Sequence, residues 1–244
     1  MSKCDCSNPL EQIKALYTEL ANEPDKDFGW QKGKTNALAL GYEPGWLETL
    51  PMNVWESCAA VGNPFSIGQI LPGQTVVDLG CGAGTDVCVA ALLTQDGGKV
   101  IGIDCTPAMV AKTRHNASLC GFTHVDVYEA DIAKLPIPDN CADVVISNGA
   151  INLSVNKSQV LSEARRILRP RGRLQIADMI REDTEDGSTA DTNDSWADCV
   201  LGTLEADCFL RLIEEAGFQQ VSLVSKTGYK TSENTVGALI RAIK

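Results

Sequence analysis

The sequence predicts an α/β fold: a seven-stranded, mostly parallel sheet with helices on both faces and an N-terminal helical cap. Three observations carry this. From Gln69 onward, short apolar runs alternate with helical patterns. Those runs are apolar throughout, as in strands buried on both faces. A glycine cluster follows the first run, where folds of this kind place a tight strand-to-helix turn.

Each element follows from its local pattern. Pro9 to Ala21 spaces Leu10, Ile13, Leu16, Tyr17 and Leu20 as one face of a helix. Asn22 to Lys34 is polar and reads as a loop. A short helix is expected near Thr35 to Leu40, and Gly62-Asn63-Pro64 marks a turn. Strands are expected at Thr75 to Leu79, Lys99 to Asp104, Val125 to Glu129, Ala142 to Ser147 and Arg173 to Asp178. Helices are expected at Asp86 to Leu93, Thr106 to Ala117 and Asn156 to Leu168, the last ended by Pro170-Arg171-Gly172. Leu204 to Ala216 reads as a helix closed by Gly217. Gln220 to Ser225 and Val236 to Ile243 read as a closing antiparallel pair. This divides the chain into a helical entrance segment, 1–64, and a domain, 65–244. The acidic stretch from Arg181 to Asp198 reads as a solvated loop; its place at the carboxyl edge of the expected sheet, where loops carry function, makes a mobile lid the alternative.

Composition narrows the partners. The formal net charge of −11 repels phosphate backbones, so a nucleic acid or anionic membrane is not an expected partner. Met1-Ser-Lys-Cys-Asp-Cys lacks an apolar leader, and no apolar run approaches the ~18 residues of a membrane span. The expected location is the cytoplasm. The ten cysteines then read as free thiols or soft-metal ligands, not as a disulfide framework.

The glycine loop is Asp78-Leu79-Gly80-Cys81-Gly82-Ala83-Gly84. Its spacing is G-x-G-x-G, not the G-x-G-x-x-G of dinucleotide sites. Asp78 precedes it. Asp104 ends the next strand, twenty residues after Gly84, where an acid accepts from both ribose hydroxyls.

With that loop, the strand-two acid and an acid after strand three in order, the chain resembles class I methyltransferases, a Rossmann-like family, from about residue 65 onward. The resemblance implies S-adenosylmethionine as cofactor. It implies that Gly80, Gly82 and Gly84 cradle the methionine part, with Asp78 and Thr106 also at the donor. Asp104 would bind the ribose, Asp131 and Ile132 would frame the adenine, and Asn148 would line the methionine side.

A narrower resemblance covers nearly the whole chain. Leu40-Gly41-Tyr42, Gly62-Asn63-Pro64, Asp104-Cys105-Thr106-Pro107-Ala108-Met109, Ser147-Asn148-Gly149-Ala150-Ile151-Asn152-Leu153-Ser154 and Trp196-Ala197-Asp198-Cys199-Val200-Leu201-Gly202 look like arsenite methyltransferases. In that family cysteine thiolates hold trivalent arsenic, a soft centre on soft ligands. Here Gly149 and Val61 stand where the family typically has cysteines, and Asn22 to Lys34 lacks the paired cysteines often found there. Cys199 remains in register, and Cys58, three residues before Val61, is the expected substitute. Cys4, Cys6 and Cys208 are secondary candidates. The expected function is therefore methyl transfer to a small soft nucleophile: trivalent arsenic, or a related thiol, selenol or small metabolite. Opening room at Gly149 favours an acceptor bulkier than arsenite. No resident metal is expected. The alternative is a thiol-rich soft-metal binder that keeps the fold without turnover.

His115 and His124 fall away from the expected site. A base, where one is needed, is sought in Asp178, Asp198 or Tyr42. Trp55 and Trp196 read either as pocket walls or as core, and no oligomeric state is implied.

Overall fold

The structure is a computed structural model and describes residues 9–182 and 202–244. Cys4, Cys6, Trp196, Asp198 and Cys199, with most of the acidic stretch, lie outside the described residues.

Four helices form the cap: α1 (Pro9–Asn22), α2 (Gly33–Ala39), α3 (Pro44–Thr49) and α4 (Met52–Glu56), followed by a 3₁₀ turn at Pro64–Ile67. The sheet domain then runs β1 (Thr75–Leu79), α5 (Thr85–Thr94), β2 (Lys99–Asp104), α6 (Pro107–Leu119), β3 (Val125–Glu129), β4 (Ala142–Asn148), α7 (Lys157–Ile167) and β5 (Leu168–Arg181). It closes with β6 (Leu204–Glu205), α8 (Ala206–Glu215), β7 (Gln219–Lys226) and β8 (Thr235–Ile243). Strand order is β3-β2-β1-β4-β5-β8-β7, with the two-residue β6 beside β5. The expected seven strands are thus joined by one short extra strand. Strands β1 to β5 run parallel, while β8 is antiparallel to both β5 and β7.

Helices cover both faces, and sequence explains which. Helix α7 buries Val160, Leu161, Ala164 and Ile167 and leaves Arg165 outside. With α8, through Phe209 and Ile213, it covers one face. Fully burying each such side chain contributes about 1.5–3 kcal/mol. Helix α5 is apolar all round, with Val87 to Ala91 fully buried, because it lies between the sheet and the cap. Trp55 and Tyr42 anchor that second core edge-on, with centroids 6.0 Å apart.

Of the two readings of Trp55 the structure bears out core: it is fully buried, because α4 turns its ring onto Tyr42. Two expectations need correction. Strand β5 begins at Leu168, five residues before the expected Arg173. Leu168 pairs with Ala142, and a register shift absorbs the Pro170-Arg171-Gly172 turn before Arg173 meets Val144. The helix expected from Leu204 begins at Ala206, because Leu204 and Glu205 pair with Ile180 and Arg181 instead.

Candidate functional site

The site lies where the strand order reverses. Strand β1 has β2 on one side and β4 on the other, and such a crevice at the carboxyl ends of the strands is where α/β sheets hold ligands. The glycine loop turns there. Gly80 and Cys81 N–H groups both donate to the Ile103 carbonyl, at 2.8 and 2.9 Å. Gly80 sits at φ +74°, and a Cβ there would stand 2.3 Å from that of Ala150. Only glycine therefore lets β4 approach the loop. Gly82, at φ +52°, differs: nothing lies within 4 Å of its Cβ position, so its backbone faces open space. Gly84 lines no part of the cleft; a Cβ would meet Thr113 of α6 at 2.7 Å. It serves helix packing, not the cradle expected of it.

Two connected lobes flank the loop and share Gly80, Gly82, Asn148 and Gly149. The smaller, of about 200 Å³, is lined by Asp104, Thr106, Asp131 and Ile132. Asp104 accepts the Gly82 N–H at 2.9 Å and the Thr106 N–H at 2.8 Å, one on each oxygen. Asp131 accepts the Ala133 N–H at 2.8 Å. The larger lobe, of about 330 Å³, runs from Asp78 and Asp86 toward the cap, where Trp30, Phe28 and Tyr229 close it.

Charge here is one-sided. Asp78, Asp86 and Asp104 are all buried, and among the described residues no lysine, arginine or histidine lines either lobe. Burial pushes the Asp86 carboxyl up to about 6, while hydrogen bonds from Tyr42 and Asn148 hold it down. Burial, with the charges of Asp86 and Asp104, drives Asp78 well above the usual range. Asp104 is raised by burial against four opposing hydrogen bonds.

Asn148 lines both lobes, but its amide is engaged. It donates to Asp86 Oδ2 at 2.9 Å, Gly62 O at 2.9 Å and Tyr42 Oη at 3.1 Å, and accepts the Val61 N–H at 3.0 Å. It pins the cap to the end of β4. Tyr42 Oη donates to Asp86 Oδ1 at 2.6 Å and is fully enclosed. Asp178 accepts from Met179 N, Asn152 Nδ2, Ile151 N and Asn152 N, the longest at 3.2 Å. Neither Tyr42 nor Asp178 reaches the cleft, so neither is a base for it. His124 contacts Ala91 O and Thr94, away from both lobes.

Cys58 does line the larger lobe, and burial, with the charge of Asp86, pushes its thiol up to about 12. It follows α4 in an irregular segment; no helical turn carries it to Val61's place. Val61 and Gly149 face each other: a Cβ at Gly149 would lie 3.7 Å from Val61 Cγ1. Among the described residues, no three His, Cys, Asp or Glu side chains group to hold a metal ion. Cys208 is exposed on α8.

The cleft suits S-adenosylmethionine. The open face of Gly82, Asp104 lining the smaller lobe and Asp78 lining the larger match a ligand with a ribose and cationic groups. Composition hid Asp86, Trp30, Phe28 and Tyr229 from sequence reading. Asp86 sits two residues beyond the loop, and that proximity was the one available signal.

Residues 70–217 match a family described as methyltransferase domain. The chain belongs to that family, and the fold and glycine loop make it a class I methyltransferase. Its relatives include arsenite methyltransferases. One from Halobacterium salinarum is 37% identical over 165 residues, 68% of this chain and 42% of that protein. The crystal structure of an arsenic(III) S-adenosylmethionine methyltransferase from Chlamydomonas reinhardtii superposes with a TM-score of 0.61 at 25% identity, covering 85% of this chain and 72% of that one. A nocamycin O-methyltransferase from Saccharothrix syringae is 35% identical over 105 residues, 43% of this chain and 38% of that protein. The chain spans about half the length of the curated arsenite methyltransferases it matches. No helix among the described residues is long and apolar enough to cross a membrane.

Proposed function

We propose that this chain transfers a methyl group from S-adenosylmethionine to a small acceptor bound in the larger lobe. The observation that carries the reading is the continuous cleft around Gly80 and Gly82, with Asp104 at one end and the cap at the other. Bound there, the donor supplies an electrophilic methyl on a sulfonium centre. Gly80 and Gly82 give it backbone to lie against, and Asp78 faces its methionine part. Asp104 and Thr106 hold the ribose, while Asp131 and Ile132 border the base. Asn148 positions the loop through Asp86 instead of touching the donor. The cap, over residues 9–64, closes the acceptor side and excludes water, and positioning supplies much of the rate in such a transfer.

The acceptor is the open half. Val61 and Gly149 occupy a facing pair of positions where this family's cysteines would meet. A three-thiolate arsenic site would then take Cys199, Cys58 and a third thiol. The same space suits a larger nucleophile. One observation favours that reading: the relatives include an O-methyltransferase as well as arsenite enzymes.

The test is calorimetry with S-adenosylhomocysteine, followed by labelled donor with arsenite, thiols, selenols and cell extract. Binding of the donor product and label in a small molecule are expected. Absence of any binding rejects the reading. Arsenite methylation lost in Cys199→Ser would instead restore the arsenic version.

A further inference from the structure

Helix α6 holds the glycine loop from behind. Thr113 Oγ1 donates to the Gly82 carbonyl at 2.6 Å. Asn116 Nδ2 donates to the next carbonyl, that of Ala83, at 2.9 Å. Residues three apart share a face of a helix, so one face of α6 takes up two successive loop carbonyls. Both side chains are fully buried. Thr113 also lies 3.8 Å from Cys81 Sγ, and it is the side chain that a Cβ at Gly84 would meet. A helical threonine often returns its hydroxyl to a carbonyl of the preceding turn; Thr113 gives it to the loop instead. It lines neither lobe of the cleft.

These bonds decide which way the loop's peptides face. No peptide bond in the described chain is cis, and in a trans peptide the carbonyl and the following N–H point in opposite directions. With the Gly82 carbonyl drawn onto α6, the Ala83 N–H is turned away from α6. Ala83 lines the larger lobe, and its N–H has no partner among the described residues. The Gly82 N–H is engaged by Asp104 Oδ2 at 2.9 Å. Gly82 is thus fixed on both sides, by the strand-two acid through its N–H and by Thr113 through its carbonyl. It sits at φ +52° with nothing within 4 Å of its Cβ position, so no side-chain packing of its own holds it. Glycine has the widest backbone freedom of any residue, and the two hydrogen bonds remove it.

We infer that Thr113 is a positioning residue for methyl transfer: its hydroxyl holds the Gly82–Ala83 peptide so that the Ala83 N–H is presented to the methionine part of the donor. This rests on the methyl-transfer reading above. Asn116 supports the next peptide, but it also donates to Asn53 O of α4 at 3.2 Å, so its removal would loosen the cap and the loop together. The side-chain contacts of Thr113 go to the loop alone, which makes it the residue to test.

The full chain is titrated by calorimetry with two ligands that share the nucleoside. One is S-adenosylhomocysteine; the other is 5′-methylthioadenosine, which lacks the amino-acid end. Thr113→Val keeps the side chain's shape and removes the hydroxyl, while Thr113→Ser keeps the hydroxyl. Thr113→Val is expected to weaken S-adenosylhomocysteine at least tenfold and to leave 5′-methylthioadenosine unchanged. Thr113→Ser is expected to restore S-adenosylhomocysteine affinity. A purely structural role would lower the thermal midpoint and leave the ratio of the two affinities as it was. Unchanged S-adenosylhomocysteine affinity in Thr113→Val overturns the inference, and so does an equal loss for both ligands. A Thr113→Ser protein that loses as much as Thr113→Val overturns it as well. Should Thr113→Val not fold, Thr113→Ala, which leaves space where the hydroxyl and methyl stood, is read by the same ratio. Failure of the unaltered chain to bind S-adenosylhomocysteine overturns the methyl-transfer reading itself, and the inference with it.

Discussion

Asp104 and Asp178 are both buried aspartates near the ends of parallel strands, and they do opposite things. Asp104 accepts from Gly82 and Thr106, one on each oxygen, and lines the smaller lobe. Asp178 spends its oxygens on Ile151, Asn152 and Met179 and lines neither lobe. Asp104→Ala is expected to weaken S-adenosylhomocysteine binding at least tenfold while the chain stays folded; calorimetry checks this. Asp178→Ala leaves several buried N–H groups unpaired, each costing about 1–3 kcal/mol. It should lower the denaturant midpoint sharply, with ligand affinity of the folded fraction unchanged. A tenfold affinity loss in Asp178→Ala would contradict the assignment. Asp104 was legible in sequence because its partners are local: a strand end and a loop twenty-odd residues earlier. That Asp178 is spent on the β4–α7 turn was not, since Asn152 reaches it across β4 and β5.

At the scale of elements, the glycine loop gives a sharper contrast. Gly80→Ala drives a Cβ into Ala150, so it should disturb β1 against β4 and lower stability. Gly82→Ala points its Cβ at open cleft. It is expected to cost only the left-handed backbone penalty of about 1–2 kcal/mol, yet to abolish S-adenosylhomocysteine binding by filling the cradle. Thermal melts paired with calorimetry separate the two; a Gly82→Ala protein that binds normally would show that the cradle lies elsewhere. The bounds of β1, β2 and β3 follow from sequence to the residue, because each apolar run is flanked by glycine, lysine or acid. Helices α3 and α4 were hidden: they span six and five residues, too short for a period of 3.6 to register. The length of β5 was hidden as well, since β8 pairs with it from Arg173 to Arg181 and supplies the hydrogen bonds that extend it.

For the whole molecule, buried acid sets the response to pH. The Asp86 and Asp178 carboxyls stand at about 6 when folded, against an ordinary 3.8, and Asp78 is raised further still. Between these values the folded chain binds more protons than the unfolded chain. The stability they contribute is complete below 3.8 and is lost as pH rises through about 6. Each tenfold gain in proton affinity on folding corresponds to about 1.4 kcal/mol. Unfolding free energy from urea titration should therefore increase from pH 7 to pH 5, and Asp86→Asn should flatten that rise. A fall in stability over the same window would refute the assignment.

The donor half of this protein was determined by sequence alone. Its glycine loop, Asp104 and Asp131 act through neighbours close along the chain, so their spacing carries their geometry. The acceptor half was decided by tertiary structure. Val61 from the cap faces Gly149 from the end of β4, and Trp30 and Tyr229 close a lobe over Asp78 and Asp86. Those residues lie far apart along the chain, and only packing of the cap onto the sheet brings them to one cavity. The same packing turned Trp55 inward and enclosed Tyr42, residues that the sequence left open as a pocket wall and a base.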